Sequence, residues 1–251
     1  MMGVLSNKID REQLRPGDHI YSWRKGYIYA HHGIYMGDGK VTHFTRGGEE
    51  IGTGTILDRF LVSSVPSNSD TNCEICGDQS TLNGVISSCI GCFLCGGDLY
   101  LFHYSVSPAF FIAKVRGGTC TLADADPMDD VLHRAEYLLL NGFGTYNIFK
   151  NNCEDFAIYC KTGLLVMTSY SVGRSGQLTT IIAAASAVVS SPLRFLTSSF
   201  GGLTVITSGI YCLNRVVSDI GIRRDVTKIR VENLVSRTSE DEPERTTEVG
   251  G

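Results

Sequence analysis

Residues 27–44 constrain the fold more than any other stretch. Tyr27-Ile28-Tyr29-Ala30-His31-His32-Gly33-Ile34-Tyr35-Met36 has the aromatic and β-branched content of a strand. Gly37-Asp38-Gly39-Lys40 supplies residues suited to a tight hairpin turn, and Val41-Thr42-His43-Phe44 returns as the partner strand. His31 and His43 therefore fall on neighbouring strands, close enough to meet. Upstream, Arg15-Pro16-Gly17-Asp18 reads as a turn into another strand over 19–23. His19, His31, His32 and His43 are thus candidates for a site. A lone strand histidine is ordinarily a satisfied core group, but two on one hairpin invite a search for a nucleophile.

Asn151-Asn152-Cys153-Glu154-Asp155-Phe156-Ala157-Ile158-Tyr159-Cys160 supplies one. Asn151 or Asn152 can cap a helix by accepting an orphan backbone N–H. Cys153 then sits in the first turn, where the positive end of the helix dipole favours a thiolate. Cys153, Ala157 and Cys160 share one face, with Phe156 beside it, so this face is expected to pack inward. The stretch alone fits a buried structural cysteine better than a nucleophile, since free cysteine is among the most buried residue types. The histidine hairpin tips the reading toward a thiol nucleophile with a base and an orienting group.

The 251 residues carry a formal net charge of -4, which argues against a nucleic-acid binder with its usual basic face. Nine cysteines are many for such a chain. Residues 1–30 mix Lys8, Asp10, Arg11, Glu12, Arg15 and Asp18 and contain no apolar core of a secretory signal. Reduced thiols in the cytoplasm are therefore expected.

Residues 56–97 read as an insertion rich in cysteine: Cys73, Cys76, Cys89, Cys92 and Cys95. Cys73-x-x-Cys76-Gly77 has the spacing of a metal knuckle, with Gly77 allowing the tight turn. A second pair is Cys89 with Cys92, or Cys92 with Cys95. Two such pairs about a dozen residues apart suit one structural zinc. Packed, metal-free thiols are the alternative.

Farther on, 98–105 and 109–115 read as strands. Asp126-Pro127 opens a helix that stops at Asn141-Gly142. No charged residue lies between Arg174 and Arg194, nor between Arg194 and Arg215. Each run is near bilayer-spanning length, so 175–214 is expected to form two apolar helices, broken near Pro192 and associated with a membrane surface. Buried helices covering the domain are the alternative. Residues 232–251 are polar and aperiodic, and read as a disordered tail.

The chain resembles the lecithin:retinol acyltransferase-like family, closest to its plant members. The resemblance rests on Leu14-Arg15-Pro16-Gly17-Asp18, on His31-His32-Gly33-Ile34-Tyr35-Met36-Gly37-Asp38-Gly39, on Val41-Thr42-His43-Phe44 and on Asn152-Cys153-Glu154-Asp155-Phe156. It implies an α+β, circularly permuted papain-like domain over 14–170, after an N-terminal segment 1–13. A cysteine-rich insertion at about 57–97 interrupts the domain, and an apolar helical segment over 171–231 follows it. It also implies Cys153 as nucleophile, His31 rather than His32 as base, and His43 as the group orienting His31. Resemblance to plant members favours Cys89 and Cys92 as the second zinc pair, with Cys95 as the alternate. Better-known animal members have histidine where this chain has Asp155, and a carboxylate there opposes thiolate formation. The implied chemistry is thiol-dependent acyl transfer or phospholipase-type hydrolysis of a lipid acyl ester, with no cofactor for catalysis. A thiol amidase or peptidase on the same fold is the rival enzyme. A non-catalytic scaffold that binds a partner through its cysteines is the rival outside enzymes.

Overall fold

The computed structural model describes residues 7–24, 29–45, 73–79, 82–114, 116–144, 152–166 and 200–234, with side chains in the last stretch from 208 onward. Five strands form one antiparallel sheet: β1 (His19–Arg24), β2 (Tyr29–Gly37), β3 (Lys40–Thr45), β4 (Gly84–Cys89) and β5 (Tyr100–Leu101), in spatial order β4-β3-β2-β1-β5. The β2–β3 hairpin forms where its turn chemistry requires it. Gly37, Asp38 and Gly39 all take positive φ, at 96°, 49° and 71°. Ile34 pairs with Thr42 and Tyr35 with Val41, but no β3 partner continues the ladder below Ile34. Among the described strands, the lower half of β2, from Tyr29 to Gly33, pairs with β1.

Alternation along β2 sends side chains to opposite faces of the sheet. Gly33 lies on the face that carries Val41, His43 and Phe93. A Cβ there would stand 2.8 Å from Val41 Cγ1 and 2.9 Å from the Phe93 ring, so only glycine fits. Phe93 belongs to α1 (Ile90–Leu94), which covers this face with Ile20, Val41, Leu94 and Leu99. Arg24 fastens α1 to β1 by donating to the carbonyls of Leu94 (2.7 Å) and Phe93. The other face, with Ile34 and Phe44, is covered by α3 (Met128–Asn141) and α4 (Cys153–Thr162) through Val131, Leu138, Phe156 and Ala157. Ala30, Tyr21, Tyr100, Phe102 and Ile158 extend the packing on that side.

Several expectations change here. Residues 84–97 are not part of an insertion: β4 is an integral edge strand, with His43 opposite Ile86, and α1 is core. The stretch 109–115, read as a strand, contains a helix, α2 (Pro108–Ala113). Its Phe-Phe-Ile run has strand-like composition, but Ser107 caps it by accepting the Phe110 N–H at 3.3 Å, and Pro108 supplies the first turn.

The C-terminal part returns to the domain rather than leaving it at 170. After α5 (Phe200–Ser218), β7 (Val226–Lys228) pairs with β6 (Leu164–Val166). Tyr159 donates to the Ile229 carbonyl at 3.0 Å. Residues 232–234, where a tail was expected, continue a helical turn that starts at Val231, which is only 2% exposed in the α3–α4 core. The first of the two expected apolar helices, ahead of the break at Pro192, lies outside the described residues. The second corresponds to α5, but Arg215 is buried beneath α2. It donates to the Lys114 carbonyl and lies over the Phe111 ring at 4.5 Å. Among the described residues no helix is long and apolar enough to cross a membrane. The architecture is mixed α+β around an antiparallel sheet.

Candidate active site

Cys153 is placed by the start of α4. The Asn152 side chain accepts the N–H groups of Glu154 (2.9 Å) and Asp155 (3.1 Å), and the Asn152 N–H in turn donates to the Asp155 carboxylate at 3.2 Å. This capping box explains Asp155: its carboxylate secures the helix start. The inward face expected from the sequence is buried throughout, at Cys153, Phe156, Ala157 and Cys160.

The helix brings the Cys153 sulfur to the N-terminal half of β2. Sγ lies 2.7 Å from the Tyr29 hydroxyl and 3.8 Å from the Ala30 carbonyl, and receives the His32 backbone N–H. It thus meets the strand on both sides of His31 in sequence. The expected hydrogen bond from His31 is not among its contacts, because the His31 ring turns toward β3 and α1. There it packs at 5.3 Å from Phe93 and meets His43 edge-on.

His31 begins a chain of hydrogen bonds. Its Nε2 is 2.9 Å from His43 Nδ1, His43 Nε2 is 2.8 Å from Ser88 Oγ, and Ser88 donates to Gln79 Oε1. The Gln79 amide is oriented by its own donation to the Ser87 carbonyl at 2.8 Å. These bonds fix both tautomers. Because Ser88 gives its proton to Gln79, it accepts from His43 Nε2–H. His43 Nδ1 then accepts from His31 Nε2–H, which leaves His31 Nδ1 unprotonated. That nitrogen is buried and unpartnered among the described residues. It is a base with its lone pair unused.

His19 and His32, the other two candidates, form a separate pair. His19 Nε2 is 2.8 Å from His32 Nδ1 and His19 Nδ1 is 2.7 Å from the Tyr104 hydroxyl. Phe102 stacks on His19 at 4.3 Å. Both nitrogens of His19 are occupied, in an aromatic environment that holds rather than reacts.

Electrostatics set the resting state. Burial holds His31 well below the ordinary imidazole range, and His43, Arg24 and His32 lower it further. Burial also takes His43 down to about 3, with Arg24 adding to it. Burial pushes the Cys153 thiol up to about 11. The Tyr29 hydroxyl and the His32 N–H work against this, and the Glu154 and Asp155 carboxylates reinforce it. The thiolate expected from the helix dipole is therefore not the resting form. A neutral thiol and a neutral imidazole face catalysis together, since removing both from water costs more than the dipole returns.

The cysteine-rich stretch gathers four sulfurs. Cys73, Cys76, Cys89 and Cys92 are half-buried and their Sγ atoms all lie within 4.8 Å of one another. Cys95 stands outside this group, at the end of α1 in a left-handed conformation. Backbone N–H groups of Cys76 and Ile75, in that order, lower the Cys73 thiol to about 7.

Tyr29, Ser88 and Gln79 were not singled out from the sequence. Tyr29 had a signal, since it lies two residues from His31 on the same strand face. Ser88 and Gln79 had none, because their roles depend on β4 pairing with β3.

Comparison with known proteins shows the family of the chain. A model of the family described as lecithin retinol acyltransferase matches residues 12–166, a span that contains His31, His43 and Cys153. The chain is 58% identical over 239 residues to Protein LEAD-SENSITIVE 1 of Arabidopsis thaliana, covering 95% of this chain and 92% of that protein.

Proposed function

The chain belongs to the lecithin retinol acyltransferase family as a plant-type member, and on that premise we propose that it is a thiol-dependent acyltransferase or lipid hydrolase working through an acyl thioester on Cys153. The family in general implies thiol-dependent acyl transfer or hydrolysis. Its known α+β domain, a circularly permuted papain-like fold, is the arrangement we propose here. The observation that carries the reading is the relay from Gln79 to His31, which leaves His31 Nδ1 as an unprotonated base on the strand that Cys153 abuts.

In the proposed reaction the Cys153 side chain leaves the Tyr29 hydroxyl and turns past β2 to the α1 side of the sheet, where His31 Nδ1 takes its proton as sulfur attacks the ester carbonyl. Bond formation and proton removal proceed together, because a thiol held near 11 does not ionise beforehand. His43 stabilises the imidazolium that forms and keeps its ring oriented. The tetrahedral oxyanion draws on the Cys153 N–H, since those of Glu154 and Asp155 already donate to Asn152. Collapse breaks the C–O bond, and the leaving alcohol takes the proton from His31. Water, an amine or an alcohol then attacks the thioester, with His31 again acting as base. An acyl ester presented at a membrane surface and met from the cytoplasm is the substrate setting of this proposal. No cofactor takes part in the chemistry.

One observation favours the rival scaffold reading. Cys153 is 0% exposed and already bonded to Tyr29. An enzyme must open this contact to admit an ester, whereas a scaffold need not. Incubating purified protein with phospholipid and weighing the intact chain separates the two. A mass gain of one acyl group, mapped to Cys153 and released by hydroxylamine, supports the enzyme. An unchanged mass with every phospholipid and simple ester supports the scaffold.

A further inference from the structure

The relay that fixes the base is built on the same short stretches as the four-cysteine cluster. Ser88 immediately precedes Cys89, and Gln79 lies three residues beyond Cys76. Ser88 sits opposite Val41 near the end of the β3–β4 ladder, and Gln79 lies outside any strand or helix. Gln79 reaches β4 through the turn closed by Gly77, whose N–H bonds to the Cys73 carbonyl at 2.8 Å and whose φ is 67°. The integrity of that turn decides where the amide of Gln79 sits.

The four sulfurs have the geometry of a tetrathiolate site. A tetrahedral zinc–sulfur distance of about 2.3 Å sets sulfurs about 3.8 Å apart. Cys73 Sγ and Cys89 Sγ are 3.8 Å apart, and all four sulfurs lie within 4.8 Å of one another. Backbone N–H groups already point at them: Cys89 N–H at Cys76 Sγ (3.0 Å) and Cys92 N–H at Cys89 Sγ (3.4 Å). Such bonds stabilise thiolates. Four thiolates at this spacing repel one another unless a cation lies between them. Four soft ligands in tetrahedral array select zinc over harder divalent ions.

We propose that Cys73, Cys76, Cys89 and Cys92 bind one zinc ion, and that this ion, by fixing the turn at Gly77 and the end of β4, holds Gln79 and Ser88 in the arrangement that sets the tautomers of His43 and His31. Zinc takes no part in the chemistry. Gln79 and Ser88 are positioning residues that act through His43. Metal occupancy thereby becomes a condition for a correctly oriented base: His43 is 30 residues from Cys73, the nearest zinc ligand in sequence, but one hydrogen-bonded chain away in space. The coupling to catalysis rests on the function proposed above; the metal site does not.

The test needs no turnover. Purified chain is analysed for metal, and its histidines are followed by nitrogen-15 nuclear magnetic resonance before and after zinc removal by a chelator. One zinc per chain is expected in the wild type and in Cys95→Ser, and none in the double variant Cys73→Ser/Cys76→Ser. On chelation, His43 is expected to lose its single tautomer signature, and added Zn²⁺ should restore it. His19 and His32 are expected to keep theirs. If the double variant fails to fold, chelation of the wild type supplies the same comparison. Gln79→Ala should retain zinc yet mix the His43 tautomers, and slow Cys153 acylation about tenfold. Absence of stoichiometric zinc from the wild type overturns the site. Zinc binding with His43 resonances unchanged by chelation overturns the coupling.

Discussion

Two histidine pairs share strand β2, built on adjacent residues, and they differ in what their last nitrogen does. His31 and His43 end in an unpartnered Nδ1 on the side of α1, whereas the His19–His32 pair has both His19 nitrogens closed by His32 and Tyr104. Strand alternation alone separates them: one residue's shift sends a side chain to the opposite face. Burial lowers the affinity for protons of all four rings. Burial is therefore not what distinguishes a reactive histidine from a structural one here. The direction of the hydrogen-bond relay does, because it decides whether a lone pair is left over.

The comparison can be broken at its nucleophile first. Cys153→Ser should lower acyl-ester turnover by on the order of 10⁴-fold or more while leaving the thermal midpoint nearly unchanged, since a serine hydroxyl fits the thiol's space but ionises far less. Turnover surviving this change moves the chemistry elsewhere.

Acid should weaken both pairs alike. The folded values of His32 and His43 lie near 3, below the ordinary 6.5, and those of His19 and His31 are lowered in the same direction. Below pH 6.5 the unfolded chain binds protons that the folded chain does not. Stability is thus fully present above that pH and is lost as pH falls toward the folded values. Each histidine contributes a loss of up to about 1.4 kcal/mol per pH unit. Urea midpoints at pH 7, 6 and 5 should fall in that order, and a flat series would contradict the buried neutral rings.

A substitution in the structural pair sharpens the contrast. His32→Gln leaves His19 without its buried partner and should cost about 1–3 kcal/mol of stability in urea unfolding. The smallest effect is expected at Tyr29→Phe. Its hydroxyl lowers the Cys153 thiol, so its loss should slow iodoacetamide labelling of Cys153 at pH 8 about fivefold, the equivalent of about 1 kcal/mol. Faster labelling would show instead that Tyr29 shields the sulfur.

Much of this was legible in residue order. The turn residues Gly37-Asp38-Gly39 announced the hairpin, and Asn152 ahead of Cys153 announced the helix start, because both signals are local. The zinc-type spacing was legible in the same way, and the fold gathers Cys73, Cys76, Cys89 and Cys92 while leaving Cys95 aside. What was hidden depended on pairing across the chain. Gly84–Cys89 looked like insertion because its value as a strand comes only from lying beside β3. Pro108–Ala113 reads as a strand because Phe110-Phe111-Ile112 favours one, but the Ser107 cap and Pro108 in the first turn decide for a helix. The helix dipole promised a thiolate at Cys153, but how deeply the sulfur is buried is a property of tertiary packing.

The most direct test of the difference between the two pairs is the rate at which Cys153 is acylated by an activated ester in His31→Gln and His32→Gln, each measured below its unfolding midpoint. His31→Gln removes the free base and should slow acylation by about 10²–10⁴-fold. His32→Gln should stay within a few-fold of wild type, because its pair only holds the sheet. Equal losses in the two variants, or a larger loss at His32, would contradict the assignment of His31 as the base.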